Sequence, residues 1–584
     1  MVSKKSIAAV LLLGIALIAV IATAGCVNTE VTGPADKVFL GNVITVDDAN
    51  PVAEAVAVKD GIILFVGSKK DAEKFCDENT EVIDFGDNSI YPGFLEAHAH
   101  VSLAGMRSFG MAKLTPGAPL KQTVDEIAAY IKENPGKDYY IGSGWTFSGG
   151  EEPTAAMLDA VCSDVPVILQ TQDGHSVWVN SKCIEALNPT QEQIEAYGPA
   201  QIRVDANGKP TGYLSETPAI EMLKDLPFTV EDLKEFTLKW QEEGLSDGFT
   251  GVSDAGMELF GAKQIDAYEQ LIDEDALKLR IYGLSMVNDN TDTPEEDMAK
   301  IAELAERLNS DHFKVIGAKV FLDGVIEAHS GWMLDEYKDQ AGYYGVSRFN
   351  DVDKMARLMI AADKYGMLVH AHSVGDAANR MFADSVEKAI ETTGNYDQRN
   401  AAAHLQYLKP EDIERFGELG IIAVSGYQWT AKNEFSYPVE QKAVGADYAE
   451  KGYPAQSFIN AGAVVVGHTD YPVSPVVSIP NAFYTGVTRT SPLIGDEGIR
   501  GPEEAMSRED TLKSLTSNVA YMWHEEDRLG SLEPGKLADM TVLSVDLLHD
   551  DMDTVGLAML IPAVATIIDG EIVYQADADA AETA

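Results

Sequence analysis

The chain is poor in basic charge for its size. Its 584 residues hold 44 Lys plus Arg against 93 Asp plus Glu, a formal charge of -49. That balance excludes nucleic acid and anionic lipid as partners recognised through basic surface. The acids are scattered along the chain and form no single long run, so they read as a solvated acidic shell. Cysteine is scarcer still. The four present, Cys26, Cys76, Cys162 and Cys183, stand far apart with no Cys-x-x-Cys, which argues against a disulfide framework and a zinc knuckle. No Gly-x-Gly-x-x-Gly loop follows an early strand, so the usual signature of an open dinucleotide-binding sheet is missing.

What is present is ordinary globular composition at large size. Apolar residues make up 45% and charged residues 23%, which excludes wholesale disorder. The first residues, "MVSKKSIAAVLLLGIALIAVIATAGC", place two lysines before a long uncharged run that ends in small residues and Cys26. Such a segment is an export signal or a membrane-spanning anchor. "TAGC" resembles the lipobox of secreted lipoproteins, which implies cleavage before Cys26 and lipid on its thiol. Either reading places the body outside the cytoplasm, anchored to the membrane through residues 1–26 and a polar linker, 27–36.

From Lys37 the text reads as short strands joined by Asp-Gly turns, and "GKLADMTVLSVD" and "AVATIIDGEIVYQAD" repeat that style near the other end. The two sets, 37–89 and 528–576, are expected to form one β-sandwich domain before a tail at 577–584. Between them, in 90–527, buried strands alternate with amphipathic helices, the pattern of an α/β fold with a parallel sheet. Eight such strands are legible, the first at Ile90 to Ala97, and eight close into a (β/α)8 TIM barrel with its site at the carboxyl ends. About 150 residues separate the first two strands, too many for a connection, so an insertion subdomain is expected at about 110–240, over the barrel mouth.

Ionisable groups inside buried strands are costly unless paired or bound. Here they recur at strand ends: His98 and His100, Lys319, His370 and His372, His404, then His468 and Asp470. A single His-x-His pair carries little weight. Six of the eleven histidines in proposed barrel strands carry more, and histidine with carboxylate suits zinc or another divalent first-row ion.

These motifs together resemble the amidohydrolase superfamily, in its deformylase-like and amidase-like branch. "PGFLEAHAH" is similar to the first-strand metal motif, "AKVFLDGVIEAHSG" to the fourth-strand lysine motif, and "HAHSVGDAA" to the fifth-strand histidine motif. "AAAHLQ" and "GHTDYPV" resemble the sixth- and eighth-strand motifs. The resemblance implies His98, His100 and Asp470 as ligands of one metal position and His372 and His404 as ligands of a second. It implies Lys319 beside them, carboxylated in relatives so as to bridge two metals, and one or two divalent ions in all, zinc foremost. Asp470 is then the general base for hydrolysis of an amide, formamide or cyclic amide, a small-molecule substrate. His370 is expected as pocket lining or a support for the ligands. His468 departs from the family pattern, and Trp145, His175 and His329 are expected at the mouth, within reach of substrate. The competing class is a lipid-anchored solute-binding protein without catalysis, which needs no ring of strand-end histidines. Bound divalent metal separates the two.

Overall fold

A computed structural model describes residues 33–577 apart from 110, 147–151, 173, 225–227, 435 and 475–477. The expected export segment with Cys26 and most of the linker at one end, and nearly all of the tail at the other, lie outside the described residues. No helix among those described is long and apolar enough to cross a membrane.

Both chain ends contribute to one seven-stranded sheet, ordered 571–575, 565–568, 540–543, 81–92, 37–44, 52–59, 62–67. Its two tight hairpins turn at Asp60-Gly61 and Asp569-Gly570, where all four residues take positive φ, the geometry that two-residue hairpin loops require. The strand Glu81–Pro92 belongs to this sheet to its last residue, since Ile90, Tyr91 and Pro92 pair with Val542, Thr541 and Met540. The first barrel strand therefore starts later than the sequence indicated. Pro92 has no N–H to continue the ladder, and a Cβ at Gly93 would lie 2.0 Å from Thr250 Oγ1, so the chain breaks there and crosses into the barrel.

Eight parallel strands follow in sequential order: β1 (Phe94–Ala99), β2 (Phe249–Ala255), β3 (Arg280–Met286), β4 (Phe313–Phe321), β5 (Leu368–Ser373), β6 (Ala401–His404), β7 (Ile422–Ser425) and β8 (Val465–Gly467). The seam between β8 and β1 is bridged just past their ends. There Asp470 N–H donates to the His98 carbonyl at 3.0 Å and His100 N–H to the Tyr471 carbonyl at 2.9 Å. Leu95, Tyr282, Leu368 and Ile422, all early in their strands, pack with Trp523, whose indole stacks on Tyr282 at 4.1 Å and donates to Ser253 at 2.6 Å. Each fully buried side chain of this kind contributes about 1.5–3 kcal/mol. The amino-terminal end of the barrel is thus sealed by apolar packing, and the ionisable residues collect at the other.

The helices obey their sequence signals. Val352–Asp363 buries Met355, Leu358, Met359 and Ala362, and its N-cap Asp351 accepts from the Asp353 and Lys354 amides. The insertion forms a six-stranded sheet running from Ala112 to Ser215, with its own core of Trp145, Trp178 and Tyr213. It is shorter than sequence implied. The helix Val230–Asp247, boxed by Thr229 and Asp232, lies against the helix Val101–Phe109 so closely that a Cβ at Gly105 would meet the Phe236 carbonyl at 1.9 Å. It leads directly into β2 and belongs to the barrel. Gln172 from the insertion donates to the Val473 carbonyl at 3.0 Å, seating that sheet on the segment that follows β8.

Candidate active site

The ionisable strand-end residues converge. His98 Nε2 and His100 Nε2 approach Asp470 Oδ1 at 3.4 and 3.3 Å, and His404 Nδ1 stands 4.0 Å from Asp470 Oδ2. Ligand atoms of His98, His404 and Asp470 lie within 4.8 Å of one another. The His372 ring centroid is 4.4 Å from that of His404, while its Nε2 faces the Gly324 carbonyl at 3.2 Å. His404 therefore stands between the two expected groups, beside His372 and within reach of His98 and Asp470. The backbone explains it: His404 and Asp470 have φ of 80° and 53°, left-handed conformations that turn both side chains off the strand alternation toward β1.

The donor set fits a divalent ion. Both ring nitrogens of His404 and the Asp470 Oδ1 are buried without a hydrogen-bond partner, an arrangement that costs free energy unless something binds there. Burial, reinforced by neighbouring positive groups, holds His98, His372 and His404 well below the usual imidazole range. They are neutral, the form that ligates metal. Burial works against the charged form of Asp470, yet His100, His468 and Lys319 outweigh it and keep its carboxyl below the usual range. Lys319 Nζ lies 3.2 Å from His98 Nε2, and burial pushes its ammonium down to about 7.

A layer of polar residues holds this centre. His98 Nδ1 meets His370 Nε2 at 2.7 Å, so His370 supports a ligand rather than lining open space. Glu96 accepts the His98 amide at 2.9 Å and the Thr469 amide at 3.1 Å, and burial raises its carboxyl to about 8. Asp254 accepts the Val101 amide at 3.2 Å, next to His100. Asp323 accepts the amides of Trp332, Val374 and Gly375 at 2.9, 3.0 and 2.7 Å and is raised by burial to about 7. Glu96 was legible, because it stands two residues before His98 on the same strand face. Asp254 stands near the end of β2 and Asp323 just past the end of β4, and none of the three was singled out from sequence.

The remaining expected residues divide. His175 reaches the centre, its ring 4.9 Å from that of His372 and its Nδ1 3.0 Å from Glu216 Oε2. His468 lies among His98, His404 and Trp429, at 5.2, 5.1 and 5.3 Å between ring centroids; both its nitrogens are unpartnered and burial lowers it to about 4. His329 is engaged elsewhere, stacked on Tyr337 and facing Asp339 at 3.0 Å. Trp145 is a correction. Only 1% exposed, it donates to the Leu169 carbonyl at 2.9 Å and packs edge-on against Trp178, because the insertion needs a large aromatic core more than the mouth needs an indole.

Comparison with known proteins agrees with this geometry. The chain is 28% identical over 548 residues to Protein LONG AFTER FAR-RED 3 of Arabidopsis thaliana, covering 91% of this chain and 90% of that one. It is 24% identical over 555 residues to N-substituted formamide deformylase of Arthrobacter pascens, covering 91% and 97%. Among solved structures, an uncharacterized metal-dependent hydrolase from Pyrococcus horikoshii superposes with a TM-score of 0.70 at 22% identity, over 88% of this chain and 99% of that one, which establishes the shared fold. Residues 81–574 match the model of the Amidohydrolase family, and with the buried histidine and aspartate cluster in place the chain belongs to that family of metal-dependent hydrolases.

Proposed function

We propose that the protein hydrolyses a carbon–nitrogen bond other than a peptide bond, in a small amide, formamide or cyclic amide. The observation that carries this reading is the buried convergence of ligand atoms of His98, His404 and Asp470, among which both His404 nitrogens and Asp470 Oδ1 have no hydrogen-bond partner. His100 and His372 complete the set of residues that would hold one or two divalent ions, and imidazole with carboxylate suits zinc. A bound ion supplies polarisation of the carbonyl and water acidified toward a pKa of about 7. Asp470, ionised and set between His98 and His100, takes the proton of the attacking water and returns it to the leaving nitrogen. Lys319 near 7 is accessible as the neutral amine. That form can add carbon dioxide and release a proton, so we place any carboxylated lysine at Lys319. The amino-terminal segment ending at Cys26 supports an extracytoplasmic, membrane-anchored location.

The test is to purify the protein, assay its metal, and screen formamides, N-acyl amino acids, cyclic amides and esters. We expect one or two divalent ions per chain. Asp470→Asn should retain metal while losing about 10²- to 10⁴-fold in kcat. Metal-loaded protein with no hydrolysis of any probe, or a fully active Asp470→Asn, overturns the reading.

A further inference from the structure

We infer that the substrate carries a second, neutral hydrogen-bond acceptor beside the bond that is cleaved, and that Arg348 binds it; this rests on the hydrolase reading above. Arg348 lies between β4 and β5 with its side chain 4% exposed. Its Nε and Nη2 donate to Asp289 at 3.0 and 3.2 Å. Its Nη1 is buried with no hydrogen-bond partner and comes only within 3.8 Å of Glu216 Oε2. A buried N–H left without an acceptor costs about as much as a broken hydrogen bond, so such a donor marks a place where a ligand is received.

Its position ties it to the chemistry. The guanidinium lies 4.5 Å over the Phe321 ring, and that same ring neighbours His372 at 5.4 Å and Lys319 Nζ at 4.9 Å. The open donor is therefore one aromatic ring removed from the metal-site residues. Across from it stands Glu216, brought in by the insertion, with a left-handed φ of 55° and held by Ser330 Oγ at 2.6 Å and His175 Nδ1 at 3.0 Å. Proton transfer by Asp470 uses none of these groups.

Charge selects the ligand. Asp289 and Glu216 already set two carboxylates beside the guanidinium, with His175 against Glu216 as well. Glu216 stays ionised, because His175, Arg348 and Ser330 outweigh the burial that opposes its charge. A substrate carboxylate would add a third anion in a buried place, and a substrate ammonium would face Arg348. A second amide, urea or imide carbonyl accepts from Nη1 and adds no charge. Diamides, acylureas and cyclic imides have this form.

The experiment uses the zinc-loaded full chain and three matched probes: N-acetylglycinamide, N-acetylglycine and N-ethylacetamide. Binding is read by calorimetry and hydrolysis in parallel. Wild type should bind N-acetylglycinamide about 10- to 100-fold more tightly than N-ethylacetamide. Arg348→Lys, which keeps a cation for Asp289 but lacks the directed fork, should shrink that ratio to about threefold or less, chiefly through weaker N-acetylglycinamide binding. Arg348→Met should do the same, and Arg348→Lys alone decides if the methionine variant fails to fold. The proposal is overturned if wild type shows no preference or prefers N-acetylglycine, or if Arg348→Lys weakens all probes equally. Intact discrimination in binding with no hydrolysis of any probe would instead overturn the hydrolase reading and leave Arg348 assigned.

Discussion

At the scale of single residues, the tautomer of His98 decides how the metal site is built. Its Nε2 faces Lys319 and Asp470, so Nε2 is the atom that would ligate an ion, which would leave the proton on Nδ1 to be donated to His370 Nε2 at 2.7 Å. An imidazole thus does for His98 what a carboxylate or carbonyl commonly does for a metal-bound histidine. His370→Ala should weaken zinc retention by about 10- to 100-fold in a chelator competition, and His370→Gln, whose amide oxygen can accept from Nδ1, should recover part of it. Wild-type affinity in the alanine variant would sink the idea. Alternation along β5 showed that His370 points inward with His372; that it meets His98 from across the barrel is a contact over 272 positions, which local pattern does not encode. Just past the end of β2, Glu258 gives a pH test. It accepts the Met286 amide at 2.8 Å, and burial raises its carboxyl from 4.5 to about 7. The folded protein therefore holds more protons than the unfolded chain across that window, and stability falls as pH rises through it. Glu258→Gln removes the loss. Between pH 4 and pH 8 the difference in unfolding free energy should move toward the variant by up to about 3 kcal/mol, read by urea titration; an unchanged difference would show that Glu258 titrates normally.

At the scale of elements, the eight strands were readable because each is a short, mainly apolar run with polar residues at or near its carboxyl end, set among helical patterns. The helix at Val352–Asp363 was readable from spacing alone. What escaped were the junctions. The change from terminal sheet to barrel falls at Pro92 and Gly93, inside one apolar run, where hydrophobicity reports burial but not which sheet does the burying. The end of the insertion was hidden for a similar reason, since the helix Val230–Asp247 looks alike whether it caps the insertion or feeds β2. The β4–β5 connection also depends on a contact invisible in the text: a Cβ at Gly375 would stand 2.0 Å from the Trp332 carbonyl, and the Ala377 amide donates to that same carbonyl at 3.1 Å. Gly375→Ala should therefore push the 325–349 segment off the barrel. We expect a loss of about 1–3 kcal/mol in urea unfolding, together with weaker metal retention, because Asp323 is held by the Gly375 amide. A stable variant with normal metal content would mean that the loop shifts without cost.

For the whole molecule, charge is the property that sequence stated outright and that geometry only partly offsets. Ion pairs such as Arg280–Asp539 and Arg500–Glu440 are buried and directional, but 44 basic residues cannot neutralise 93 acidic ones. Most of the excess must lie in solvent, where like charges repel and folding brings them closer together. Self-repulsion of this kind is screened over about 10 Å at 0.1 M salt and about 3 Å at 1 M. Exposed ion pairs also weaken in salt, but each is worth only about 0–1 kcal/mol, and there are too few cations for that loss to dominate a net charge of -49. The midpoint of thermal unfolding should therefore rise by several degrees as sodium chloride goes from about 0.02 to about 1 M. Sucrose at matched osmolality serves as the control for solvent exclusion, and a chelator kept in all samples separates screening from metal binding, which stabilises by its own mass action. If sucrose raises the midpoint as much as salt does, or if salt lowers it, then paired charges outweigh the excess and the acidic shell is held by specific contacts rather than by solvent.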